Sequence, residues 1–116
     1  MRVVNRTAIS LIGLPPFVEW THTYDADVNR GALTVARVQP YGTVVLLPEF
    51  EHEEDILEWV EENASWLFEL QLESWTDDDS RWPVERDLKT FREWFRVEIH
   101  SVVVDAGEDD IEGEEL

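Results

Sequence analysis

Residues Glu51 to Trp75 read EHEEDILEWVEENASWLFELQLESW and carry the clearest helical period of the chain. On a single helix the acids share one arc: Glu51, Glu54, Asp55, Glu58, Glu61, Glu62, Glu69 and Glu73. Apolar residues fall opposite them: Ile56, Leu57, Val60, Ala64, Leu67, Phe68 and Trp75. This two-sided pattern predicts an amphipathic helix that packs its apolar arc against a core.

Two details of this segment complicate the helix. Leu72 lands on the acidic arc, and Asn63-Ala64-Ser65 is the place where a kink would fall. The alternative is an alternating strand over residues 68–73. We favour helix, because residues 66–75 contain no β-branched side chain and are rich in Leu, Glu and Gln.

Shorter elements are predicted on the N-terminal side of this segment. Thr7–Ile12 is an apolar run typical of a strand, and Pro15-Pro16 suits the first turn of a short helix. Leu33–Val38 and Thr43–Leu47 are two further apolar runs, separated by Gln39-Pro40-Tyr41-Gly42. Proline and glycine in that connection predict a turn, so the two runs form a hairpin.

A second helix and a last strand are predicted on the C-terminal side. The helix covers residues 81–95, with Asp79 or Ser80 as its cap and Pro83 in its first turn. Its apolar face is narrow: Val84, Leu88, Phe91 and Phe95. Val97–Asp105 then alternates as a strand.

These elements predict an α+β fold. Two main helices cover one face of a small mixed or antiparallel sheet, and a short N-terminal helix accompanies them. Residues 1–105 form one globular domain. Residues 106–116 are acidic, contain two glycines and show no period, which predicts a disordered tail.

The composition narrows the classes of function. The 116 residues carry a net charge of −18, which argues against direct binding of nucleic acid, because that needs an electropositive surface. Cysteine is absent, so thiolate chemistry and disulfides are excluded. We expect a cytoplasmic protein, because no apolar run is long enough for a membrane span and Ala8–Leu14 makes a poor signal peptide.

The negative charge is concentrated in two blocks. Residues 49–80 hold 13 acids without a lysine or arginine, and residues 105–116 hold seven acids without a base. One interpretation is adaptation to high salt, since Lys89 is the only lysine; the function would then lie elsewhere. The other interpretation is a surface that binds a partner.

The partner hypothesis places the contact on the long helix. Glu54, Glu58 and Glu61 lie at the centre of the acidic arc, and Trp59 and Trp66 flank the apolar one. A basic protein would be attracted by the acids and held by the tryptophans. In the most specific form of this hypothesis, the acids imitate a nucleic-acid backbone. A solvated helix face without a partner produces the same pattern.

An enzyme is the alternative function. Glu98 and His100 share one face of the last strand, and Arg86 could complete an acid–base group or half a metal site with them. An ordinary histidine at the edge of the core explains the pair equally well. The acids at 77–79 do not make a calcium loop, because Trp82 and Leu88 occupy the glycine and glutamate positions. The sequence therefore predicts no metal and no cofactor.

Several short motifs resemble a family of small acidic bacterial proteins with no assigned function. They are Pro15-Pro16-Phe17-Val18-Glu19-Trp20, Leu47-Pro48-Glu49-Phe50, Trp75, Trp82-Pro83, Arg86 and Phe91-Arg92-Glu93-Trp94-Phe95-Arg96-Val97-Glu98-Ile99-His100. The resemblance covers residues 7–105 and spares the tail. It implies a single cytosolic α+β domain and brings no activity, cofactor or catalytic residue.

Overall fold

A computed structural model describes residues 1–24, 43–76 and 78–116 of the chain. The elements are β1 (Arg2–Val3), β2 (Thr7–Gly13), α1 (Pro15–Tyr24), β3 (Thr43–Leu47), α2 (Glu53–Glu62), α3 (Ala64–Glu73), a 3₁₀ turn (Asp79–Arg81), α4 (Leu88–Trp94), β4 (Phe95–His100) and β5 (Val104–Asp105). They form an α+β fold with two small antiparallel sheets. The predicted strand 33–38 and turn 39–42 lie outside the described residues.

Among the described residues, the larger sheet has three strands in the order β3-β2-β4, and β2 pairs antiparallel with both neighbours. Ile9 on β2 lies opposite Val45 on β3 and Ile99 on β4. Because side chains alternate along a strand, these three residues share one face of the sheet. That inner face also carries Leu11, and both Ile9 and Leu11 are buried.

The four helices of the described part of the chain contribute to one core against the inner face of the sheet. The buried residues of this core are Ile9, Leu11, Phe17, Val18, Leu47, Ile56, Val60, Ala64, Leu67, Phe68, Leu72, Phe91 and Phe95. The outer face of the same sheet is more polar and more exposed, with Val44, Leu46, Glu98 and His100 on it. The sheet is therefore covered on one side, as a small α+β domain requires.

The long predicted helix is helical but divided at Asn63. Its backbone leaves helical geometry there, and its side-chain amide donates to the carbonyl of Trp59 at 2.8 Å. Each helix buries its own set of residues: Ile56 and Val60 on α2, and Ala64, Leu67, Phe68, Gln71 and Leu72 on α3. A single continuous helix placed Leu72 on the acidic arc and Leu57 on the apolar arc. Both placements are wrong, because Leu72 is fully buried and Leu57 is 48% exposed.

The second predicted helix, over residues 81–95, is wrong in its first half. Trp82 has extended backbone geometry, which the following proline favours, and α4 begins only at Leu88. Asp87 caps α4 by accepting a hydrogen bond from the backbone N–H of Thr90 at 2.9 Å. Val84 is 94% exposed, so it does not belong to the apolar face predicted for this helix.

The last predicted strand, Val97–Asp105, is divided between the two sheets. β4 ends at His100, and β5 pairs with β1 in the smaller sheet, where Arg2 lies opposite Asp105. The chain thus begins in a strand, and the helix α1 follows β2. Within the described residues, every helix is too short or too polar to cross a bilayer.

Candidate functional site

The exposed carboxylates of α2 form a negative surface, here called the acidic face and defined by Glu54, Glu58 and Glu61. All three are exposed. Glu61 pairs with Arg92 of α4 at 2.9 Å, whereas Glu54 and Glu58 form no ion pair with any other described residue. Glu54 also lies in the first turn of α2, where a carboxylate stabilises the positive end of the helix dipole.

The two tryptophans predicted to bind a partner contact each other. The rings of Trp59 on α2 and Trp66 on α3 meet at 90°, with their centroids 6.5 Å apart. Asn63 separates the two helices that carry these rings. Its side-chain amide donates a hydrogen bond to the carbonyl of Trp59. Trp66 is 45% exposed, whereas Trp59 packs partly against the core. The structure therefore brings the two predicted tryptophans together and leaves the three predicted carboxylates exposed on α2.

Leu57 extends this surface towards α4. Its side chain lines a cleft of about 220 Å³ between α2, α4 and β4, together with Val60, Phe91 and Val97. The Glu61–Arg92 ion pair also lines this cleft. Surface pairs of this kind stabilise a fold by only about 0–1 kcal/mol, so the pair can open at little cost.

The three residues proposed for an enzyme have separate partners. Glu98 accepts a hydrogen bond from Arg96 on the same strand at 2.9 Å. Arg86 instead donates to the carbonyl of Pro83 and pairs with Glu69 of α3 at 3.8 Å. Its guanidinium also lies 5.7 Å from the ring centre of Trp82. Arg86 thus joins the segment before α4 to α3.

His100 has a partner that the sequence analysis missed. Its Nε2 lies 2.8 Å from the hydroxyl oxygen of Ser10 on the neighbouring strand β2. The polar residue inside an otherwise apolar strand was a signal for such a contact, but the pairing register was needed to match the two residues. Both residues lie on the outer face of the sheet.

The acidic loop before the 3₁₀ turn has a structural role. Asp78 accepts hydrogen bonds from the backbone N–H and the hydroxyl of Ser80, at 3.2 and 2.6 Å. Its neighbour Asp77 lies outside the described residues. In the part of the chain that the structure describes, no group of three acidic or histidine side chains is arranged to hold a metal ion.

Comparison of the chain with protein-family models, with curated proteins and with solved structures found no match. The resemblance to small acidic bacterial proteins stays a prediction.

Proposed function

We propose that the protein is a cytoplasmic, non-enzymatic interaction module that binds a basic protein through the acidic face and the Trp59–Trp66 pair. One observation carries this proposal. An exposed tryptophan, Trp66, meets the ring of Trp59 edge-on, and two exposed carboxylates of α2, Glu54 and Glu58, have no ion-pair partner among the described residues. Large aromatic side chains with a charged rim are typical of protein interfaces.

The exposure of Trp66 is unusual within this protein. The chain has six tryptophans, all in the described part, and the other five are at least half-buried. Leaving so large a ring in water forgoes the free energy that its burial would contribute. A partner that covers Trp66 would recover that free energy, and the contact with Trp59 fixes the ring in advance.

The charges favour a basic partner. Glu54 and Glu58 are one helical turn apart, which places them about 6 Å apart along the axis of α2. The chain has a net charge of −18, so its field attracts a positively charged protein over a distance of about one Debye length. Charge then accelerates the encounter, while the tryptophans set the lifetime of the complex.

A more specific form of the proposal concerns the class of partner. Evenly spaced carboxylates on a rigid helix present negative charge much as a nucleic-acid backbone does. The basic partner would then be a nucleic-acid-binding protein whose binding groove accepts α2. A competition experiment distinguishes a nucleic-acid-binding partner from any other basic partner. Duplex DNA should displace the acidic protein only from a partner that binds nucleic acid.

The test uses affinity capture from the native lysate with four baits: the wild type, Glu54→Gln/Glu58→Gln, Trp66→Ala and the control Glu108→Gln/Asp109→Asn. The control removes the same number of charges from the tail. We expect a basic protein that is retained by the wild type and the control and is lost from both α2 and α3 variants. Glu61 is left unchanged, because it pairs with Arg92.

Binding kinetics with the captured partner then assign the roles. The double Gln change should slow association and flatten its dependence on salt, with little change in dissociation. Trp66→Ala should accelerate dissociation by about tenfold or more, as the loss of an interface anchor does. A partner that binds all four baits with equal rates would show that this surface is not the interface.

A further inference from the structure

The strand β4 lies at an edge of the larger sheet. Among the described residues it has one neighbouring strand, β2, so the other side of its backbone is not paired with a strand. Its sequence, FRVEIH, contains no proline or glycine that would interrupt further pairing. An edge of this kind can accept another strand, because every second residue offers a free backbone N–H and C=O group.

The backbone hydrogen bonds show which residues face this open edge. Leu14 donates its N–H to the carbonyl of Trp94 at 2.8 Å, one position beyond the last pair of the β2–β4 register. In an antiparallel pair the directly bonded positions recur at every second residue. The even-numbered residues of β4 therefore bond β2, whereas the backbone groups of Val97 and Ile99 face the open edge.

Apolar side chains at this edge are incompletely covered. Val97 and Ile99 belong to the inner face of the sheet, yet both are only half-buried. Val97 lines the cleft of about 220 Å³ between α2, α4 and β4, and the exposed Leu57 lines the same cleft from α2. A further strand beside β4 would remove part of this apolar surface from water.

We propose that β4 pairs antiparallel with β4 of a second copy of this chain, about a twofold axis at Val97. The larger sheets of the two copies then join into one continuous sheet. In this register Arg96 lies opposite Glu98 of the second copy, and the twofold axis repeats the same contact on the other side. The two Val97 residues face each other and exchange both backbone hydrogen bonds. Opposite charges in directly facing positions stabilise an antiparallel pair.

Charge selects this register over its neighbours. Arg96 and Glu98 are exposed on the outer face and bond each other at 2.9 Å within one strand, so they can exchange that ion pair for two cross-strand pairs. A shift of the second copy by two residues would place Glu98 opposite Glu98, where like charges repel. A shift by four residues would place Glu98 opposite His100, which is less strongly charged than arginine at neutral pH.

The inner face fits the same register. Ile99 of the second copy lies opposite Phe95, which lines the apolar cleft, and the two Val97 side chains lie between the two such pairs. The apolar residues that are half-buried in a single copy therefore cover one another in the dimer.

The edge lies in a part of the chain where two copies can approach with little repulsion. Each copy has a net charge of −18, which opposes association. Residues 81–104, however, carry five bases and four acids, so the charge close to β4 is nearly balanced. The dimer does not depend on the acidic face having a partner, because the variants that test that face leave β4 unchanged.

Sedimentation equilibrium over an about hundredfold range of protein concentration tests the dimer, in about 0.15 M salt to screen the net charge. We expect the wild type to show a monomer–dimer equilibrium. Arg96→Glu and Glu98→Arg should each raise the dissociation constant by about tenfold or more, because like charges then face each other. An equimolar mixture of these two variants should restore dimers, because each variant supplies the charge that the other lacks. Arg6→Glu and Glu19→Arg are the controls; they make the same charge changes at exposed positions outside β4 and should leave the equilibrium unchanged.

Amide hydrogen exchange locates the contact. The N–H groups of Val97 and Ile99 should exchange more slowly at high protein concentration than at low concentration, because only the dimer bonds them. The N–H of Glu98 bonds β2 in a single copy, so its exchange should change much less. A monomer at every concentration would overturn the proposal, as would a dimer that both charge changes leave intact. A mixture of the two variants that stays monomeric would overturn the register.

Discussion

Gly13 lies so close to Phe17 that a Cβ atom at Gly13 would be 2.6 Å from Cδ2 of the Phe17 ring. The ring cannot move away freely, because Phe17 is 1% exposed and its centre lies 4.8 Å from that of Phe95. The end of β2 and the start of α1 therefore meet at a distance that only glycine permits.

Gly13→Ala should destabilise the protein by about 1–3 kcal/mol, because the new methyl group overpacks a full core. Gly113→Ala is the matched control, since nothing lies within 4 Å of the Cβ position there. Urea denaturation of both variants measures the effect. An unchanged midpoint for Gly13→Ala would mean that α1 can shift away from the sheet at no cost.

Phe91→Ala should be among the most destabilising changes in α4. Its ring is 1% exposed and lies 5.5 Å from that of Phe95, so truncation leaves a cavity that costs about 3–5 kcal/mol. Leu88→Ala should cost less, because Leu88 is only half-buried. Val84→Ala is the control, and a loss of stability as large as that of Phe91→Ala would contradict the position of Val84 outside the helix.

The cap of α4 should make stability depend on pH. The hydrogen bond from the backbone N–H of Thr90 lowers the pKa of Asp87 below its ordinary value of 3.8, and the Thr90 hydroxyl adds to the effect. A carboxyl group with a lowered pKa stabilises the folded state above the pKa of the unfolded chain. That contribution is lost as the pH falls through the pKa of the folded state.

Two variants isolate this contribution from the other carboxylates. Asp87→Asn keeps a good cap, since asparagine is also a favoured N-cap residue. Between about pH 5 and about pH 3, which span the ordinary aspartate pKa of 3.8, its melting temperature should fall less than that of the wild type. Asp87→Ala should be less stable than both at neutral pH. Identical pH profiles for the wild type and Asp87→Asn would show that the cap does not titrate with folding.

Added salt should stabilise the fold. Residues 49–80 carry 13 acids without a base, and the ion pairs shown for these acids are those of Glu69 with Arg86 and Glu61 with Arg92. We expect the mutual repulsion of the acids to exceed these two attractions. The Debye length falls from about 30 Å at 0.01 M to about 10 Å at 0.1 M, which screens repulsion between exposed groups. Urea midpoints at the two salt concentrations test this, and a flat profile would mean that the ion pairs compensate the repulsion.

Removal of residues 108–116 should leave the melting temperature almost unchanged. These residues form no helix or strand and are exposed, and Asp110 contacts Arg2 only through a solvent-exposed pair at 3.9 Å. Gly107 is retained, because its N–H donates to Asp105 at 2.9 Å. Removal of residues 104–116 is the contrast, since it also deletes β5 and should free β1.

The helix over residues 51–75 shows what a local pattern can predict. Helix period, propensity and the absence of β-branched residues in its second half all act within a few residues. The start of α1 at Pro15 and the strands at Thr7 and Thr43 depend on similarly local signals. The predicted helix over 81–95 is wrong in its first half. The 3₁₀ turn ends before Pro83, and the helix begins only after its cap at Asp87. The prediction relied on the spacing of apolar residues, which does not contain these two signals.

The candidate sites were predictable to different degrees. The acidic face and its two tryptophans follow from the helical wheel, whereas the exposure of Leu57 required the division of the helix at Asn63. A pocket of about 740 Å³ near the start of α2 was not predicted, because its wall combines Glu49 and Glu51 with Thr7 and Ile99, which come from distant parts of the chain.

The sequence alone determined the charge of this protein, where that charge lies along the chain, and most of its helices and strands, because these depend on neighbours within one or two turns. The tertiary structure decided which faces are buried, which residues meet across the sheet and which carboxylates remain without a partner. Those outcomes depend on contacts between residues far apart in the chain, such as Ser10 with His100 and Phe17 with Phe95. Their free energies come from packing and register, which no local pattern encodes.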